Sequence, residues 1–387
     1  MRHPTFEYLL VALVAATSTY LLTPVARRMA IRWRAVARPR DRDVHAVATP
    51  RLGGVALFAG FALAIFVAGR LPTLHESFAA GPNMLWVVGA AGIICALGML
   101  DDRYELDSLT KLAGQVLATG LMVTLGGVQI VEVYVPWGDT GTFLLGRDLG
   151  VPVTILFTVV VINALNFIDG LDGLATGVTI IAAGAFFLYS YHLGKSGFAD
   201  LVSPATLLAA ALVGACVGFL PHNFFPARVF MGDSGSMVLG LVLSAATTTA
   251  TSTSNAAVYE HAAGLLSLLL PLLIPILVLA LPFIDLVLAV VRRVGKGRSP
   301  FAPDKQHLHH RLLELGHTHR RAVLLLYFWS ALLAFGAVVG LSFDLGGELV
   351  LTVVVVLVVV GLGVSVVPRN RGAPQRRSRA KSLSPRP

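Results

Sequence analysis

The sequence predicts an all-α polytopic membrane protein with about eleven transmembrane helices. The 387 residues are 56% hydrophobic and only 13% charged, and the mean hydropathy is +0.77, whereas soluble domains carry about 25% charged residues. The apolar residues also stand in long blocks that are not interrupted by polar positions, as spans of about 17–25 residues require. We therefore expect one integral-membrane domain over residues 1–367 and no sizeable soluble domain.

The spans follow from these apolar blocks, taken in order along the chain. The ninth block is long and contains three prolines, so its helix is expected to be tilted or kinked. The predicted spans are 7–26, 52–70, 84–100, 109–126, 150–167, 173–192, 204–220, 235–250, 263–291, 321–341 and 348–367.

The basic residues predict the orientation, because lysine and arginine concentrate in cytoplasmic loops. With the N-terminus outside, 26 of the 30 lysines and arginines fall on the inside. The first span is followed by Arg27 and Arg28, which is not the pattern of a cleaved signal peptide. Residues 368–387 are expected to be a basic, disordered cytoplasmic tail. The net charge of +9 is thus a property of one membrane face and does not indicate nucleic-acid binding.

The two cysteines, Cys95 and Cys216, lie within predicted spans. They are interpreted as packing residues, without a disulfide or metal framework. The sequence also shows no internal repeat.

The most informative stretch lies at the inner end of an apolar run. It extends from Asn163 to Asp172 and reads Asn-Ala-Leu-Asn-Phe-Ile-Asp-Gly-Leu-Asp. Charged groups at membrane depth are rare and usually functional. Under the predicted orientation this stretch and the other polar loops all face the inside, while the outside loops 127–150 and 251–262 contain nothing comparable. This one-sidedness favours an enzyme at the membrane interface over a transporter, which needs sites at mid-membrane. The remaining candidates for site residues are Arg51, Gly54, Asp101, Asp102, Asn223, Arg228, Asp233, His307, His309, His310 and Arg311.

Several carboxylates on one face would repel one another in a partly dry site, and a hard divalent cation relieves this. Mg²⁺ prefers one or two carboxylates together with substrate phosphate oxygens, and arginine and histidine suit phosphate ligands. Glycines around Asp233 permit close approach to a ligand. The pattern predicts Mg²⁺-assisted phosphoryl transfer, with Mn²⁺ as a substitute metal, between a nucleotide-activated donor and a lipid phosphate.

Each motif also has a structural interpretation. Asp101 and Asp102 could simply end a helix at the headgroup region. The histidines at 307, 309 and 310 could hold Zn²⁺, but no cysteine stands near them. His317 and His319 are interpreted as loop residues rather than ligands, and the Gly53–Gly54 pair could serve only tight packing.

Six motifs in order resemble the polyprenyl-phosphate N-acetylhexosamine-1-phosphate transferase family, glycosyltransferase family 4, from about residue 20 to 345. The resemblance implies transfer of an N-acetylhexosamine 1-phosphate from a UDP-sugar to a polyprenyl phosphate (undecaprenyl or decaprenyl), with release of UMP. It also implies a multi-pass protein of the bacterial cytoplasmic membrane with a cytoplasmic active site, and a homodimer as a candidate assembly. The motifs are Thr-Pro-Arg-Leu-Gly-Gly, Asp-Asp-Arg-Tyr-Glu-Leu, Asn-Ala-Leu-Asn-Phe-Ile-Asp-Gly-Leu-Asp-Gly, Phe-Met-Gly-Asp-Ser-Gly-Ser, Pro-Phe-Ile-Asp and His-Leu-His-His-Arg-Leu.

Within that family the sequence resembles the N-acetylglucosamine branch, which initiates cell-wall polymer and O-antigen synthesis. Leu308 interrupts the histidine run that is usually continuous in the peptidoglycan branch. The donor is therefore expected to be UDP-N-acetylglucosamine. The alternatives are a phospho-N-acetylmuramoyl-pentapeptide transferase and, from another class, a lipid-phosphate transporter. Asp43 departs from relatives, which often have a basic residue there, and this weakens any phosphate role for residues 40–45.

The resemblance also implies a role for each candidate residue. Asp233 matches the family's Mg²⁺ ligand, with Asn166 as a second. Asp101 and Asp102 match a catalytic pair at the metal or lipid phosphate, and Asp169 and Asp172 match positions at the nucleotide. The catalytic histidines His307, His309 and His310 match a cationic loop near the diphosphate and sugar, and the substrate-binding candidates are Arg51, Gly54, Asn163, Asn166, Asn223, Arg228 and Arg311.

Overall fold

The structure is a computed structural model that describes residues 4–37, 48–78, 81–134, 142–197, 199–253, 280–295, 297 and 312–342. These residues are mostly helical. The helices are α1 (Thr5–Arg32), α2 (Gly53–Ala68), α3 (Met84–Tyr104), α4 (Ser108–Thr124), α5 (Gly146–Ile168), α6 (Leu174–Lys195), α7 (Pro204–Asn223), α8 (Asp233–Thr253), α9 (Ala280–Gly295) and α10 (His319–Ser342), with a 3₁₀ turn at Leu74–Phe78.

Over the described part of the chain, ten of the predicted spans coincide with these helices to within about four residues at each end, except that α1 continues to Arg32, past its predicted end at residue 26. Helices α1, α3, α5, α6 and α7 are long and apolar enough to cross a membrane, and α2 is a shorter apolar helix. The fold is therefore that of a polytopic helical membrane protein. Residues 263–279 of the ninth predicted span, the whole eleventh span and the basic tail lie outside the described residues, so the span count and the orientation stay predictions.

Two short antiparallel strand pairs correct the expectation of a purely α protein. Strands β1 (Val36–Ala37) and β2 (Thr49–Pro50) pair between α1 and α2. Strands β3 (Glu132–Tyr134) and β4 (Thr142–Leu144) pair between α4 and α5. Backbone donors and acceptors in connecting segments need partners, and short pairings provide them.

Polar residues at the helix starts explain several boundaries. The Asn83 side chain accepts a hydrogen bond from the Leu85 amide at the start of α3. The Asp107 carboxylate accepts from the Leu109 and Thr110 amides at the start of α4. Ser203 caps α7, and Pro204 follows it at the first helical position. Such caps stabilise a helix end by about 1 kcal/mol.

Helix α8 lies in the middle of the bundle, where it packs against α2, α3, α5, α6 and α7. Its close approach to two neighbours depends on glycine. A Cβ at Gly54 of α2 would lie 2.1 Å from the Gly235 amide nitrogen, and a Cβ at Gly98 of α3 would lie 2.4 Å from Ser234 Cα. Small residues let membrane helices approach closely, so the start of α8 is held against α2 and α3.

The chain alternates direction from α1 to α8, which produces two distinct ends of the bundle. At one end, here called the site end, α3 and α5 finish and α2, α4, α6 and α8 begin. The other end, here called the distal end, contains the start of α1, the 3₁₀ turn and the finish of α6. The packing residues Cys95 and Cys216 are buried between the ends as free thiols, as the sequence predicts.

Candidate active site

A lysine lies between two carboxylates at the site end. Lys111 Nζ is 2.9 Å from Asp101 Oδ2 and 3.2 Å from Asp233 Oδ2. Asp101 stands near the end of α3, Lys111 in the first turn of α4 and Asp233 at the start of α8. The Asp101 side chain is 9% exposed, against 29% for Lys111 and 25% for Asp233. The cluster is thus partly shielded but open on the side of Lys111 and Asp233.

The second aspartate of the pair, Asp102, faces the start of α8. Its Oδ1 accepts from the Asp233 amide at 2.9 Å, and its Oδ2 accepts from the Ser234 amide at 3.2 Å. A carboxylate at a helix N-terminus satisfies amides that have no partner in the helix and is favoured by the helix dipole. Gly232, at φ +71°, makes room for it, because a Cβ there would lie 2.3 Å from Asp102 Oδ2. Asp102 therefore fixes the position of Asp233.

The two predicted asparagines of α5 point in the same direction. Asn166 donates to Ser236 Oγ at 2.9 Å and also interacts with the Asp233 carboxylate. One turn earlier, Asn163 donates to Gln115 Oε1 at 2.8 Å. The finish of α5 is thereby tied to α8 and α4, and Asn166 lies at the carboxylate cluster.

Asp169 follows α5 directly and adds a further carboxylate to the cluster. Burial, with the negative charges of Asp233 and Asp172 nearby, raises the pKa of Asp169 to about 7, and the charge of Arg51 acts in the opposite direction. A carboxyl group with such a pKa is only partly ionised at neutral pH. The charge of Arg51 thus acts on Asp169, and the predicted substrate-binding role of Arg51 stays a prediction.

Asp172 and Asn223 organise the loop between α7 and α8. Asp172 Oδ2 accepts from the Ala227 amide at 2.9 Å. Asn223 Oδ1 accepts from Thr176 Oγ1 at 2.7 Å, and its amide donates to the Val229 carbonyl at 3.1 Å. Both side chains are buried, and Arg228 in the same loop is exposed. The structure thus gives Asp172 and Asn223 contacts that shape the loop, and their predicted catalytic and binding roles stay predictions.

Gly54 is buried, and its amide donates to the Met231 carbonyl at 2.9 Å. Together with the close contact to Gly235, this supports the packing interpretation of the glycine pair. Its substrate-binding role stays a prediction.

The interpretation of His319 as a loop residue is wrong, because His319 begins α10 and is buried. Its Nε2 accepts from the Asp172 amide at 3.1 Å. His317 precedes α10 and is buried as well. The predicted residues His307, His309, His310 and Arg311 lie outside the described residues.

The carboxylate and amide oxygens at the site end are the kinds of ligand that a hard divalent cation such as Mg²⁺ prefers. Three carboxyl groups, those of Asp101, Asp169 and Asp233, lie near two cationic side chains, those of Lys111 and Arg51. Burial, together with the charge of Asp233, raises the pKa of Asp169. No three His, Cys, Asp or Glu side chains among the described residues form a ready cage for a metal ion. Mg²⁺ does not need one, because it is usually held by one or two carboxylates plus substrate phosphates.

Lys111, Gln115, Ser236 and His319 are site residues that the sequence reasoning missed. In the sequence, Lys111 contributed only to the number of basic residues on the predicted inside face. A signal was present, because Lys111 follows Asp107, a helix-capping residue, by four positions, so it stands in the first turn of α4 beside the end of α3. His319 left no such signal, since its partner Asp172 is 147 residues away.

Residues 84–251 match the family model described as Glycosyl transferase family 4. This segment contains α3 to α7 and most of α8, and with them most of the polar cluster. Arg51 and Gly54 precede the matched segment, which begins at residue 84.

Curated relatives match over nearly the whole chain. Decaprenyl-phosphate N-acetylglucosaminephosphotransferase of Mycolicibacterium smegmatis is 46% identical over 372 residues, which is 96% of this chain and 91% of the relative. The protein of the same name from Mycobacterium tuberculosis is 46% identical over 342 residues, 88% of this chain and 84% of the relative. A probable undecaprenyl-phosphate N-acetylglucosaminyl 1-phosphate transferase of Bacillus subtilis is 32% identical over 327 residues, 84% and 83% of the two chains.

Proposed function

Since this chain belongs to glycosyl transferase family 4, we propose that it transfers N-acetylglucosamine 1-phosphate from UDP-N-acetylglucosamine to a polyprenyl phosphate. The products are UMP and polyprenyl-diphosphate-N-acetylglucosamine. An oxygen of the lipid phosphate attacks the β-phosphorus of the UDP-sugar. The bond from that phosphorus to the bridging oxygen breaks, and UMP leaves with the electron pair.

The observation that carries the proposal is the convergence of Asp101, Asp233 and Lys111 at the site end, with Asp102 fixing the start of α8. Phosphoryl transfer depends mainly on positioning and on stabilising negative charge. A cluster that combines excess carboxylate with one ammonium group can hold a cation and contact phosphate oxygens at once.

The relatives support the N-acetylglucosamine donor over the muramoyl-pentapeptide donor, because their names specify N-acetylglucosamine. Leu308, which interrupts the histidine run, agrees with this. The most similar relatives reported above are decaprenyl-phosphate enzymes, so decaprenyl phosphate is the first acceptor to test. A homodimer remains a separate prediction.

In the proposed mechanism Asp233 and Asn166 would hold Mg²⁺, which when bound would neutralise charge on the donor diphosphate. Lys111 donates to phosphate oxygens from its place between Asp101 and Asp233. Asp102 positions Asp233 through its two backbone hydrogen bonds, so Asp101 is the member of the pair that faces the substrates.

The lipid phosphate is proposed to attack directly, without a covalent aspartyl intermediate. A phosphate monoester has a second pKa of about 6, so at neutral pH it is already a competent nucleophile and needs little help from a base. Asp101 is also engaged by Lys111 and by the Leu106 amide at 2.8 Å, which suits a positioning carboxylate better than a nucleophile.

We place the site end on the cytoplasmic side of a bacterial cytoplasmic membrane, where UDP-sugars are available. Single cysteines at Arg32 (site end) and Glu76 (distal end), both exposed, test this with a membrane-impermeant maleimide. The native cysteines are buried and should give little background. We expect Glu76→Cys to react in intact spheroplasts and Arg32→Cys only in inverted vesicles. The opposite pattern would overturn the orientation.

The function itself is tested with purified protein in detergent, decaprenyl phosphate and MgCl₂. UDP-N-acetylglucosamine should give UMP and lipid-linked sugar, and UDP-N-acetylmuramoyl-pentapeptide should not. The reverse reaction should also run, since one phosphoanhydride replaces another. If only the pentapeptide donor gives product, the assignment to the N-acetylglucosamine branch is wrong. If neither donor releases UMP, the proposed transferase activity is wrong.

A further inference from the structure

Three segments that are distant in the chain meet beside the carboxylate cluster. They are the turn from Asp169 to Gly173, the loop from Phe224 to Arg228 and the start of α10. We call this meeting point the loop junction and define it by Asp172, Phe225, Ala227, His319 and Arg320.

Helix α10 holds the Asp169–Gly173 turn at two points. His319 Nε2 accepts from the Asp172 amide at 3.1 Å, and Tyr327 Oη donates to the Gly173 carbonyl at 2.5 Å. Gly173 has φ +77° and immediately precedes α6. Two neighbouring backbone groups of the turn are therefore satisfied by side chains of one helix, so the position of the turn follows the position of α10.

The hydrogen bond fixes the state of the imidazole. A backbone N–H can only donate, so Nε2 of His319 must accept, and the ring proton then resides on Nδ1. A side chain without an acceptor at this place would leave the amide of Asp172 buried without this partner, a loss of about tenfold in any equilibrium that depends on it.

The start of α10 also contacts the loop from Phe224 to Arg228. The His319 ring stacks on Phe225, with centroids 4.5 Å apart and planes at 28°. The guanidinium of Arg320 lies 5.6 Å from the Phe225 ring centroid, and its Nη2 donates to the Phe225 carbonyl at 3.3 Å. From the other side, Asp172 accepts from the Ala227 amide. The turn, the loop and α10 thus form one connected unit.

We propose that His319 is a positioning residue for the UDP-sugar, acting through the Asp169–Gly173 turn. This rests on the proposed function, which places the donor diphosphate near Asp233 and Asn166, and Asn166 lies three residues before the start of this turn. Asp169 lies three residues before Asp172 in the turn and is within the electrostatic reach of Arg51 and Asp233. Loosening the junction should therefore weaken donor binding and leave the geometry of Asp101 and Lys111 unchanged.

Three substitutions separate the acceptor atom from the ring. His319→Phe keeps a ring to stack on Phe225 but has no acceptor, His319→Gln keeps an acceptor without the ring, and His319→Ala has neither. We expect the Phe and Ala variants to raise KM for UDP-N-acetylglucosamine about tenfold. Their kcat and their KM for decaprenyl phosphate should change less than about threefold, and the Gln variant should stay within about threefold of the wild type in all three constants.

Independent readouts distinguish the failure of this inference from the failure of the proposed function. Tyr327→Phe removes the second contact to the turn and should also raise the donor KM selectively. His75→Ala alters an exposed histidine of the distal end and should change nothing. UMP binding, measured by calorimetry, should weaken in the Phe variant in parallel with its donor KM.

The inference is overturned if His319→Phe has the wild-type donor KM and UMP affinity. It is also overturned if His319→Gln is as impaired as His319→Ala, or if all variants lose kcat and both KM values alike, because that would be a general structural role. If His319→Ala does not fold, the comparison of His319→Phe with His319→Gln tests the inference by itself. If the wild type releases no UMP from either UDP-sugar, the proposed function fails, and this inference, which depends on it, fails with it.

Discussion

The two ends of the bundle both contain buried carboxylates, but they differ in how many cations and backbone donors surround them. At the distal end Glu7 is buried, and it accepts from the Thr73 and Leu74 amides at 2.8–3.1 Å and from the Thr73 hydroxyl at 2.7 Å. At the site end Asp101 and Asp233 share Lys111, with Asp169 close by. A carboxylate that backbone donors satisfy is complete as part of the structure. A group of carboxylates with fewer cations than carboxylates is suited to binding a further cation.

The hydroxyl and aromatic contacts of the distal end support this contrast. Tyr8 Oη donates to the Leu201 carbonyl and accepts from the Ser203 amide, each at 3.1 Å. Thr5 bonds to Tyr191, and Ser190 bonds to Thr206 at 2.7 Å. These pairs join α1, α6 and α7 without an excess of charge. The comparison teaches that burial alone does not mark the active site, whereas unbalanced charge does. It can be tested by matched substitutions at the two ends.

The largest effect is expected from Asp233→Asn, which keeps the side-chain volume and removes the charge proposed to hold Mg²⁺. Turnover should fall by about 10³-fold or more, while the protein still purifies as a folded helical species. EDTA should abolish wild-type activity, and Mg²⁺ or Mn²⁺ should restore it. Full activity of the Asn variant at ordinary Mg²⁺ concentrations would contradict the metal role.

Lys111→Met should have the next largest effect. It removes the ammonium group between Asp101 and Asp233 and with it the proposed donor to phosphate oxygens, and we expect a loss of about 10²-fold in kcat. The matched control is Lys195→Ala at the distal end, where the ammonium lies 5.5 Å from the Tyr191 ring centroid. Steady-state assays should find that control unchanged. Equal losses in both variants would show that the contrast between the ends is mistaken.

Gly232→Ala should lower turnover about tenfold or more, because its Cβ would push Asp102 away from the start of α8 and so displace Asp233. The control is Gly197→Ala. Gly197 has a similar φ of +79°, but a Cβ there would meet nothing within 4 Å. Both changes strain a left-handed backbone by about 1–2 kcal/mol, so thermal unfolding should register both, and only Gly232→Ala should affect kcat. A Gly232 variant with normal turnover would remove the positioning role of Asp102.

Glu7→Gln should have the smallest effect on activity and a clear effect on stability. The amide cannot accept all the hydrogen bonds from Thr73 and Leu74, and the loss of charge-assisted bonds should lower the free energy of unfolding by about 2 kcal/mol. Thermal unfolding in detergent should report this, and kcat per folded molecule should stay within about twofold of the wild type. A strong loss of kcat at unchanged stability would mean that the distal end takes part in the reaction.

Much of the fold follows from local sequence. The apolar blocks predicted where ten of the described helices lie, although the first part of the ninth predicted span lies outside the described residues and α1 extends past its predicted end. The reason is that burying apolar side chains in lipid requires closed backbone hydrogen bonds within each span. The motifs also predicted which residues share the site end, since consecutive antiparallel helices bring alternate connections together. Asp101, Asp233 and Asn166 lie together as expected.

The sequence by itself thus determined the class of the protein, the position of its helices and the chemical character of one end. Only the tertiary structure decided what each polar group contacts. Lys111 lies 122 residues before Asp233, and Asp172 lies 147 residues before His319, so no local pattern links them. Asp101 and Asp102 are adjacent in sequence, yet one faces Lys111 and the other caps α8. Helical periodicity turns neighbouring side chains by about 100°, and packing between distant helices decides what each of them meets.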